Sequence, residues 1–242
     1  MERRVALVTG AARRLGAEIA RHLGSSGYTT LVHYHTSGDA AQEVAETIRA
    51  ARGEAWTVAA DVTVAEQVAA MFRAIGGRYG RLDVLVNNVG TYHVQDVLEV
   101  VPDQWRYVVE GNLTATYLCC HFALPLLRAA GAGGRVVNLG YASCDRILAR
   151  PRATAYQLAK TGVLIYSKSL ARALAPEGIT VNVISPGHLE NSVDLPADIA
   201  VAVPAGRAGR AADILGALDY LLSPAAAYVT GQNLDVAGGF NL

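Results

Sequence analysis

Residues 5–20 read VALVTGAARRLGAEIA, and this stretch decides the fold. Four apolar residues typical of a buried strand run into a turn at Gly10, and Gly16 stands at the start of a segment with helical period. A glycine turn between a strand and a helix lets backbone amides approach a phosphate, whose charge the helix N-terminus favours. The stretch therefore predicts the first βα unit of a dinucleotide-binding fold.

The same alternation continues along the chain of 242 residues. Apolar β-rich runs are separated by alanine-rich segments of helical period, which indicates a parallel sheet covered on both faces. No linker or change in composition divides this pattern. We therefore expect one α/β domain over residues 1–242, a doubly wound Rossmann fold with helices on both faces of the sheet. The seven predicted strands are 5–8, 29–34, 55–60, 82–87, 135–140, 180–185 and 232–237.

Composition narrows the functional classes. The 21 basic and 21 acidic residues cancel, so there is no electrostatic footprint for nucleic acid or an anionic membrane. No apolar run reaches the length of a membrane span, and the N-terminal apolar segment is too short for a signal peptide. Three cysteines, two of them adjacent, predict buried thiols in a reducing compartment. We expect a cytoplasmic protein that acts on small molecules, without a metal, because no His, Cys, Asp or Glu grouping has metal-ligand spacing.

A second pattern concerns Tyr156 and Lys160, which are four residues apart in a segment predicted to be helical from about Thr154. That spacing places both side chains on one face of the helix. An ammonium close to a phenol stabilises the phenolate and lowers the pKa from its usual value of about 10. Such a phenol can serve as an acid–base catalyst. A Tyr–Lys pair is more often a plain surface contact, so the surrounding motifs must decide.

Six motifs in order make the chain resemble the short-chain dehydrogenase/reductase family over nearly its whole length. The segment TGAARRLG is similar to the family's glycine turn TGxxxGxG, with Arg14 in place of the middle glycine. The segment YQLAK, which contains Tyr156 and Lys160, is similar to its YxxxK motif, and Asn112 to its helical asparagine. The other motifs are NNVG (87–90), SPG (185–187) and TGQNLDVAGG (230–239).

The resemblance implies an oxidoreductase that reduces a carbonyl group with a nicotinamide dinucleotide. Tyr156 would protonate the substrate oxygen, Lys160 would hold the ribose and tune Tyr156, and Asn112 would position a relay water. Family analogy implies a homotetramer and a 3-oxoacyl thioester, ketone or quinone as substrate. Segment 188–204 is predicted as a short substrate lid. The implied cofactor contacts, besides Tyr156 and Lys160, are Gly10, Arg13, Arg14, Leu15, Gly16, Asp61, Val62, Asn88, Gly90, Pro186 and Gly187.

The cofactor choice depends on the end of the second strand, HYHTS (33–37). It has no acidic residue to accept from the ribose 2′-hydroxyl of NADH. Arg14 offers a forked, charge-assisted contact to a 2′-phosphate, and His35, Thr36 and Ser37 add donors. The sequence therefore favours NADPH over NADH. The combination of GAARRLG and HYH also resembles the pteridine reductases, so reduction of a pteridine is the alternative.

The family's catalytic serine has two candidate positions. Counting back thirteen residues from Tyr156 gives Ser143, whereas counting along the fifth strand gives Tyr141, so the loop 144–152 contains a two-residue insertion. If the chain stayed extended past Gly140, both hydroxyls would point the same way. Either one, or no side chain at all, would then donate to the substrate oxygen. The displaced serine also leaves room for another class, a nucleotide-binding regulator with little or no turnover.

Overall fold

The computed structural model describes residues 3–192 and 195–242 and contains a seven-stranded, all-parallel sheet. The strands are β1 Val5–Val8, β2 Thr29–Tyr34, β3 Glu54–Ala59, β4 Val84–Asn87, β5 Arg135–Leu139, β6 Thr180–Pro186 and β7 Asn233–Val236. Their order is β3-β2-β1-β4-β5-β6-β7. The predicted doubly wound Rossmann fold is confirmed, and every predicted strand boundary lies within two residues of the observed one.

Helices connect the strands and cover both faces of the sheet. They are α1 Arg14–Ser25, α2 Gly38–Ala50, α3 Ala65–Tyr79, α4 Pro102–Val109, α5 Ala115–Ala129, α6 Thr154–Leu174, α7 Ile199–Ala202 and α8 Ala211–Leu222. Short 3₁₀ turns occupy Ala175–Glu177 and Pro224–Ala226, and a π-helical turn, Glu110–Thr114, joins α4 to α5. Helices α1, α2 and α8 share one core with the sheet, whereas α3, α5 and α6 share the other.

The two cores explain why the strands are apolar throughout. Along β1, Ala6 and Val8 point into one core, while Val5 and Leu7 point into the other. Alternate residues of a strand face opposite sides of the sheet, so a strand covered on both faces needs apolar residues at every position. The hydrophobic run that opens the sequence is therefore a direct consequence of the central place of β1 in the sheet.

The strand order reverses between β1 and β4, and the carboxyl ends of the central strands meet at this point. There β1 leads into Gly10, β4 into Asn88, β5 into Tyr141 and β6 into Gly187. Open α/β sheets bind their ligands in the crevice at such a switch point. The topology thus brings motifs that are far apart in sequence to one edge of the sheet.

Three observations concern the cysteines, membrane-spanning helices and metal-binding groups. The three cysteines, Cys119, Cys120 and Cys144, are free and buried, as predicted. Over residues 3–192 and 195–242, none of the helices is both long and apolar enough to cross a membrane. The same described ranges contain no group of three or more His, Cys, Asp or Glu side chains arranged to hold a metal ion.

Candidate active site

A cavity of about 570 Å³ opens at the carboxyl edge of the central strands. This volume lies within the range of small-molecule sites. One end, which we call the cofactor end, is walled by the glycine turn, residues 9–16. The other, the catalytic end, surrounds Tyr156. The predicted contacts that line the cavity are Gly10, Arg13, Arg14, Leu15, Gly16, Asn88, Gly90, Tyr156, Pro186 and Gly187, together with the candidate Tyr141.

The remaining predicted residues lie behind or beyond the cavity wall. Lys160, Asn112, Ser143 and Val62 are buried and do not line the cavity. His35 and Thr36 are exposed just past the end of β2, and Ser37 and Asp61 are partly exposed nearby. His35 Nε2 lies 3.8 Å from Asp61 Oδ2. The cavity therefore brings together part of the predicted set, and the others do not line it.

Tight packing fixes the shape of the glycine turn. Gly10 has a φ of +62°, in the left-handed region that glycine adopts at little cost. A Cβ atom on Gly16 would lie 2.3 Å from the carbonyl oxygen of Gly10 and 2.6 Å from Asn88 Nδ2. Asn88 Nδ2 in turn donates to the carbonyls of Thr9 and Gly10, at 2.9 and 3.2 Å. Both glycines are required by this geometry, and the side chain after β4 holds the turn in place.

His33 supports the same turn from inside the protein. Its Nδ1 accepts the backbone N–H of Gly10 at 3.0 Å, and its Nε2 lies 3.1 Å from the carbonyl oxygen of Ala60. Burial lowers the pKa of His33 from 6.5 to about 4, so the ring is neutral at physiological pH. Because Nδ1 accepts, Nε2 carries the proton. His33 was not among the predicted site residues, although a histidine within an otherwise apolar strand was an available signal.

Arg14 occupies an unusual backbone position. Its φ is +50°, a conformation that disfavours side chains with a Cβ atom, and its side chain is exposed at the cavity wall. This explains why the family motif has glycine here. The protein accepts backbone strain in order to place a guanidinium at the cofactor end.

Asp61 follows β3 and forms a local turn. Its Oδ1 accepts the backbone N–H and the hydroxyl of Thr63, at 2.9 and 2.7 Å. Helix α3 begins at Ala65, with Val64 as its capping residue. Asp61 therefore shapes the loop in front of the helix and does not cap the helix itself.

Tyr156 and Lys160 lie together on α6, as the four-residue spacing predicted. Lys160 Nζ is 5.8 Å from the centre of the Tyr156 ring and donates to the carbonyl oxygen of Leu139 at 2.7 Å. Burial of the amine lowers the pKa of Lys160 from 10.5 to about 8. The end of β5 thus anchors a buried amine beside the phenol that faces the cavity.

Asn112 lies in the π-helical turn Glu110–Thr114, a type of irregularity that is frequent at functional sites. Its Nδ2 donates to the carbonyl oxygens of Thr91 and Val108, at 2.7 and 2.8 Å. Among the described residues, its buried Oδ1 has no hydrogen-bond partner. An unpaired buried acceptor is costly, so this oxygen indicates a place where a water or ligand donates.

Gly90 shows where that place is. A Cβ atom on Gly90 would lie 2.8 Å from Asn112 Oδ1 and 3.3 Å from Lys160 Nζ. The side chains of Asn112 and Lys160 therefore both pack close to the backbone of Gly90, and only glycine leaves room for them there.

The chain leaves the extended conformation after Gly140, so the condition under which Tyr141 and Ser143 were expected to point the same way is not met. Ser143 has a φ of +65°, and its Oγ donates to the carbonyl oxygen of Ala142. Ser143 is buried and does not line the cavity, whereas Tyr141 does. The centres of the Tyr141 and Tyr156 rings are 5.8 Å apart. Burial raises the pKa of Tyr141, so its hydroxyl stays protonated at neutral pH.

The predicted lid, 188–204, begins as a wall of the cavity. His188, Asn191 and Ser192 line it, and the Ser192 hydroxyl accepts the backbone N–H of Leu189 at 3.0 Å. Residues 193 and 194 of this segment lie outside the described residues. Helix α7 occupies the later part of the segment, and its first turn is capped by the side chain of Asp198.

The reversed strand order, the glycine turn and the Tyr156–Lys160 pair together define a class of dinucleotide-binding oxidoreductase. A family model described as "Enoyl-(Acyl carrier protein) reductase" matches residues 10–241. The chain belongs to the short-chain dehydrogenase/reductase family, which confirms the resemblance read from its motifs.

Curated relatives extend the match over nearly the whole chain. This chain is 36% identical over 239 residues to the 3-oxoacyl-[acyl-carrier-protein] reductase of Synechocystis sp., and the match covers 97% of this chain and 96% of that protein. It is 34% identical over 240 residues to the 3-oxoacyl-[acyl-carrier-protein] reductase FabG of Staphylococcus aureus, with the same coverages. These relatives are named for reduction of a carbonyl group.

Solved structures agree with this assignment. The landomycin C-6 ketoreductase LanV, with bound NADP and rabelomycin, has a TM-score of 0.87 and 33% identity, covering 98% of this chain and 95% of that chain. A dehydrogenase/reductase from Sinorhizobium meliloti 1021 has a TM-score of 0.92 and 30% identity, covering 100% and 96%. The protein is thus a short-chain oxidoreductase whose similarity to known family members spans the entire fold.

Proposed function

We propose that the protein is an NADPH-dependent reductase of carbonyl groups in which Tyr156 acts as the general acid. The substrate class is an oxo compound: a 3-oxoacyl thioester, a ketone or a quinone. The observation that carries the proposal is the position of Tyr156, beside the buried amine of Lys160, in a cavity continuous with the glycine turn. The relatives named as 3-oxoacyl reductases and as a ketoreductase support it.

The residues of the cofactor end fit a dinucleotide. Gly10 and Gly16 allow close approach to the turn that precedes α1, where a helix N-terminus favours phosphate. Arg14, together with the exposed His35 and Thr36, suits the 2′-phosphate of NADPH. LanV, similar over nearly the whole chain, has bound NADP. When bound, the reduced dinucleotide would supply the hydride.

The catalytic end would supply the proton that the carbonyl oxygen takes up during reduction. Tyr156 donates its phenolic proton to the carbonyl oxygen, and the Lys160 ammonium stabilises the phenolate that remains. With a pKa of about 8, Lys160 carries that charge at neutral pH and loses it as the pH rises through this value. A water beside Gly90, donating to Asn112 Oδ1, would satisfy that oxygen and lie next to Lys160 Nζ for reprotonation.

Tyr141 is our choice for the hydroxyl that supports the substrate oxygen. Its side chain lines the cavity next to Tyr156, its buried hydroxyl has no hydrogen-bond partner among the described residues, and its raised pKa keeps the proton available for donation. The Ser143 hydroxyl instead donates to the carbonyl oxygen of Ala142, within the loop that follows β5.

The test is NADPH oxidation with a panel of 3-oxoacyl thioesters, ketones and quinones. Tyr156→Phe should lower kcat by about 10³-fold or more, because it removes the transferred proton and little else. The matched control is Tyr228→Phe, since the Tyr228 side chain is fully exposed. Equal turnover by wild type and Tyr156→Phe would overturn the proposal.

The same panel separates the alternatives. Turnover of a dihydropteridine or of an enoyl thioester, with none of the oxo compounds, would transfer the assignment to a pteridine or an enoyl substrate. Tight NADPH binding without turnover of any compound would favour the regulator.

A further inference from the structure

Arg150 places a cation in the wall of the catalytic end. It lies in the loop 144–152, which carries the two-residue insertion, and it lines the same cavity as Tyr156. Its guanidinium carbon is 5.1 Å from the centre of the Tyr141 ring, and that centre is 5.8 Å from the centre of the Tyr156 ring. One aromatic ring thus separates the cation from the proposed proton donor.

The backbone of this loop is anchored to the start of α6. The carbonyl oxygen of Arg150 accepts the backbone N–H of Ala153 at 3.0 Å and the hydroxyl of Thr154 at 2.9 Å. Gln157 Nε2 donates to the carbonyl oxygen of Leu148 at 2.8 Å. These bonds connect the loop to the helix that carries Tyr156, so Arg150 has a defined position relative to it.

The guanidinium of Arg150 has no counter-charge in the described part of the chain. Its Nε is buried and without a hydrogen-bond partner there, and no ion pair joins it to a described carboxylate. Arg146, in the same loop, instead donates to the carbonyl oxygen of Asn241 at 2.7 Å. A partly buried cation without an anion is costly, and an anionic ligand would relieve that cost.

Aromatic rings form much of the surrounding wall. Tyr92 packs edge-on against Tyr156 with ring centres 4.8 Å apart, and His188 packs against Phe240 at 4.5 Å. All four side chains line the cavity together with Tyr141. A cavity wall made of aromatic rings favours a flat aromatic ligand, which can pack face-to-face or edge-to-face against the wall.

We propose that the substrate is an aryl ketone that carries a carboxylate, and that Arg150 binds the carboxylate while the keto oxygen meets Tyr156. This proposal rests on the carbonyl reductase function and narrows its substrate class. A guanidinium suits a carboxylate because its N–H donors form two parallel, charge-assisted bonds. Arg150 is thus a specificity residue and takes no part in proton transfer.

The experiment uses matched acids and esters. The NADPH-loaded enzyme is assayed with 3- and 4-acetylbenzoate and with their methyl esters, which keep the ketone and the ring but lose the charge. We expect at least one acid to exceed its ester about tenfold in kcat/KM, because a hydrogen bond between two charged groups is stronger than one between neutral groups. Arg150→Met should bring this ratio close to one, mainly by raising the KM of the acid.

Two further variants complete the comparison. Arg150→Lys retains the charge without the fork and should keep part of the preference. Arg152→Met removes the same charge from the exposed side of the loop and should leave the preference unchanged. Thermal melting shows whether each variant is folded.

The outcomes separate this proposal from the reductase function. Equal kcat/KM for acid and ester in the wild type, or a ratio that Arg150→Met does not change, overturns the assignment of Arg150 and leaves the reductase intact. Absence of turnover with every carbonyl compound counts against the reductase. The affinities of the four compounds for the NADP⁺ complex, measured by calorimetry, then decide on Arg150: equal affinities for acid and ester overturn its role.

Discussion

The cofactor end and the catalytic end are built by different means. At the cofactor end the backbone itself forms the site, and Asn88 and His33 from neighbouring strands hold the glycine turn. At the catalytic end side chains form the site, and several of them come from the irregular loop between β5 and α6. A motif that specifies backbone shape carries over between proteins, whereas residues on a loop must be located in the structure.

The largest effect on cofactor affinity is expected from Gly16→Ala, which disrupts the backbone-built end. The new Cβ atom would lie 2.3 Å from the carbonyl oxygen of Gly10, a distance that forces the turn to move. We expect NADPH affinity to fall about 100-fold or more, because a misplacement of about 1 Å costs this much at a preorganised site. Fluorescence titration with NADPH measures the effect.

The control for this variant is Gly77→Ala in α3. A Cβ atom at Gly77 meets nothing within 4 Å, so alanine there should improve helix stability by about 0.5–1 kcal/mol and leave NADPH binding unchanged. Equal affinities for NADPH in Gly16→Ala and Gly77→Ala would show that the glycine turn is not a dinucleotide site.

The next largest effect is expected at Arg14. Its side chain should strengthen NADPH binding, whereas its backbone conformation should lower folding stability. Both Arg14→Ala and Arg14→Gly remove the guanidinium, and both should weaken NADPH by about 30-fold while changing NADH little. Only glycine relieves the φ of +50°, so Arg14→Gly should be more stable than Arg14→Ala by about 1 kcal/mol. Affinity for each cofactor and thermal denaturation measure the two terms separately.

Arg52 is the control for the effect of a positive φ on folding stability. It also has a positive φ, +64°, and lies at the end of α2 outside the cavity lining. Arg52→Gly should raise stability by a similar amount without affecting either cofactor. Equal losses for NADPH and NADH in the Arg14 variants would remove the basis for the NADPH preference.

The smallest of these effects is expected at the catalytic end, where side chains form the site. Tyr141→Phe should lower kcat about tenfold, because it removes one neutral donor to the substrate oxygen. Ser143→Ala should change kcat by less than about twofold, since its hydroxyl donates to Ala142 within the loop. Steady-state kinetics with the best ketone of the panel distinguish them. A larger loss in Ser143→Ala would return the family's serine role to that position.

The sequence predicted much of this architecture because strand period, glycine turns and helical spacing are local properties. The seven strands and the pairing of Tyr156 with Lys160 follow from such patterns. The expectation that Tyr141 and Ser143 share a face depended on an extended chain past Gly140. The chain instead turns left-handed at Ser143, and that backbone change has no periodic signal. Arg150 was not predicted either, since its position depends on how the loop folds back onto α6.

The glycine turn depends on a hydrogen bond from the backbone N–H of Gly10 to the neutral imidazole of His33, so the turn should weaken in acid. With a pKa of about 4, the His33 ring stays neutral at ordinary cellular pH, so its Nδ1 can accept the N–H of Gly10. Below that pH the ring becomes protonated, and Nδ1 no longer accepts a hydrogen bond. The unfolded chain takes up that proton already near pH 6.5, so folding stability declines from there down to about pH 4. Acidification should therefore release the dinucleotide as the turn loosens, and the fluorescence of bound NADPH during an acid titration would record that release.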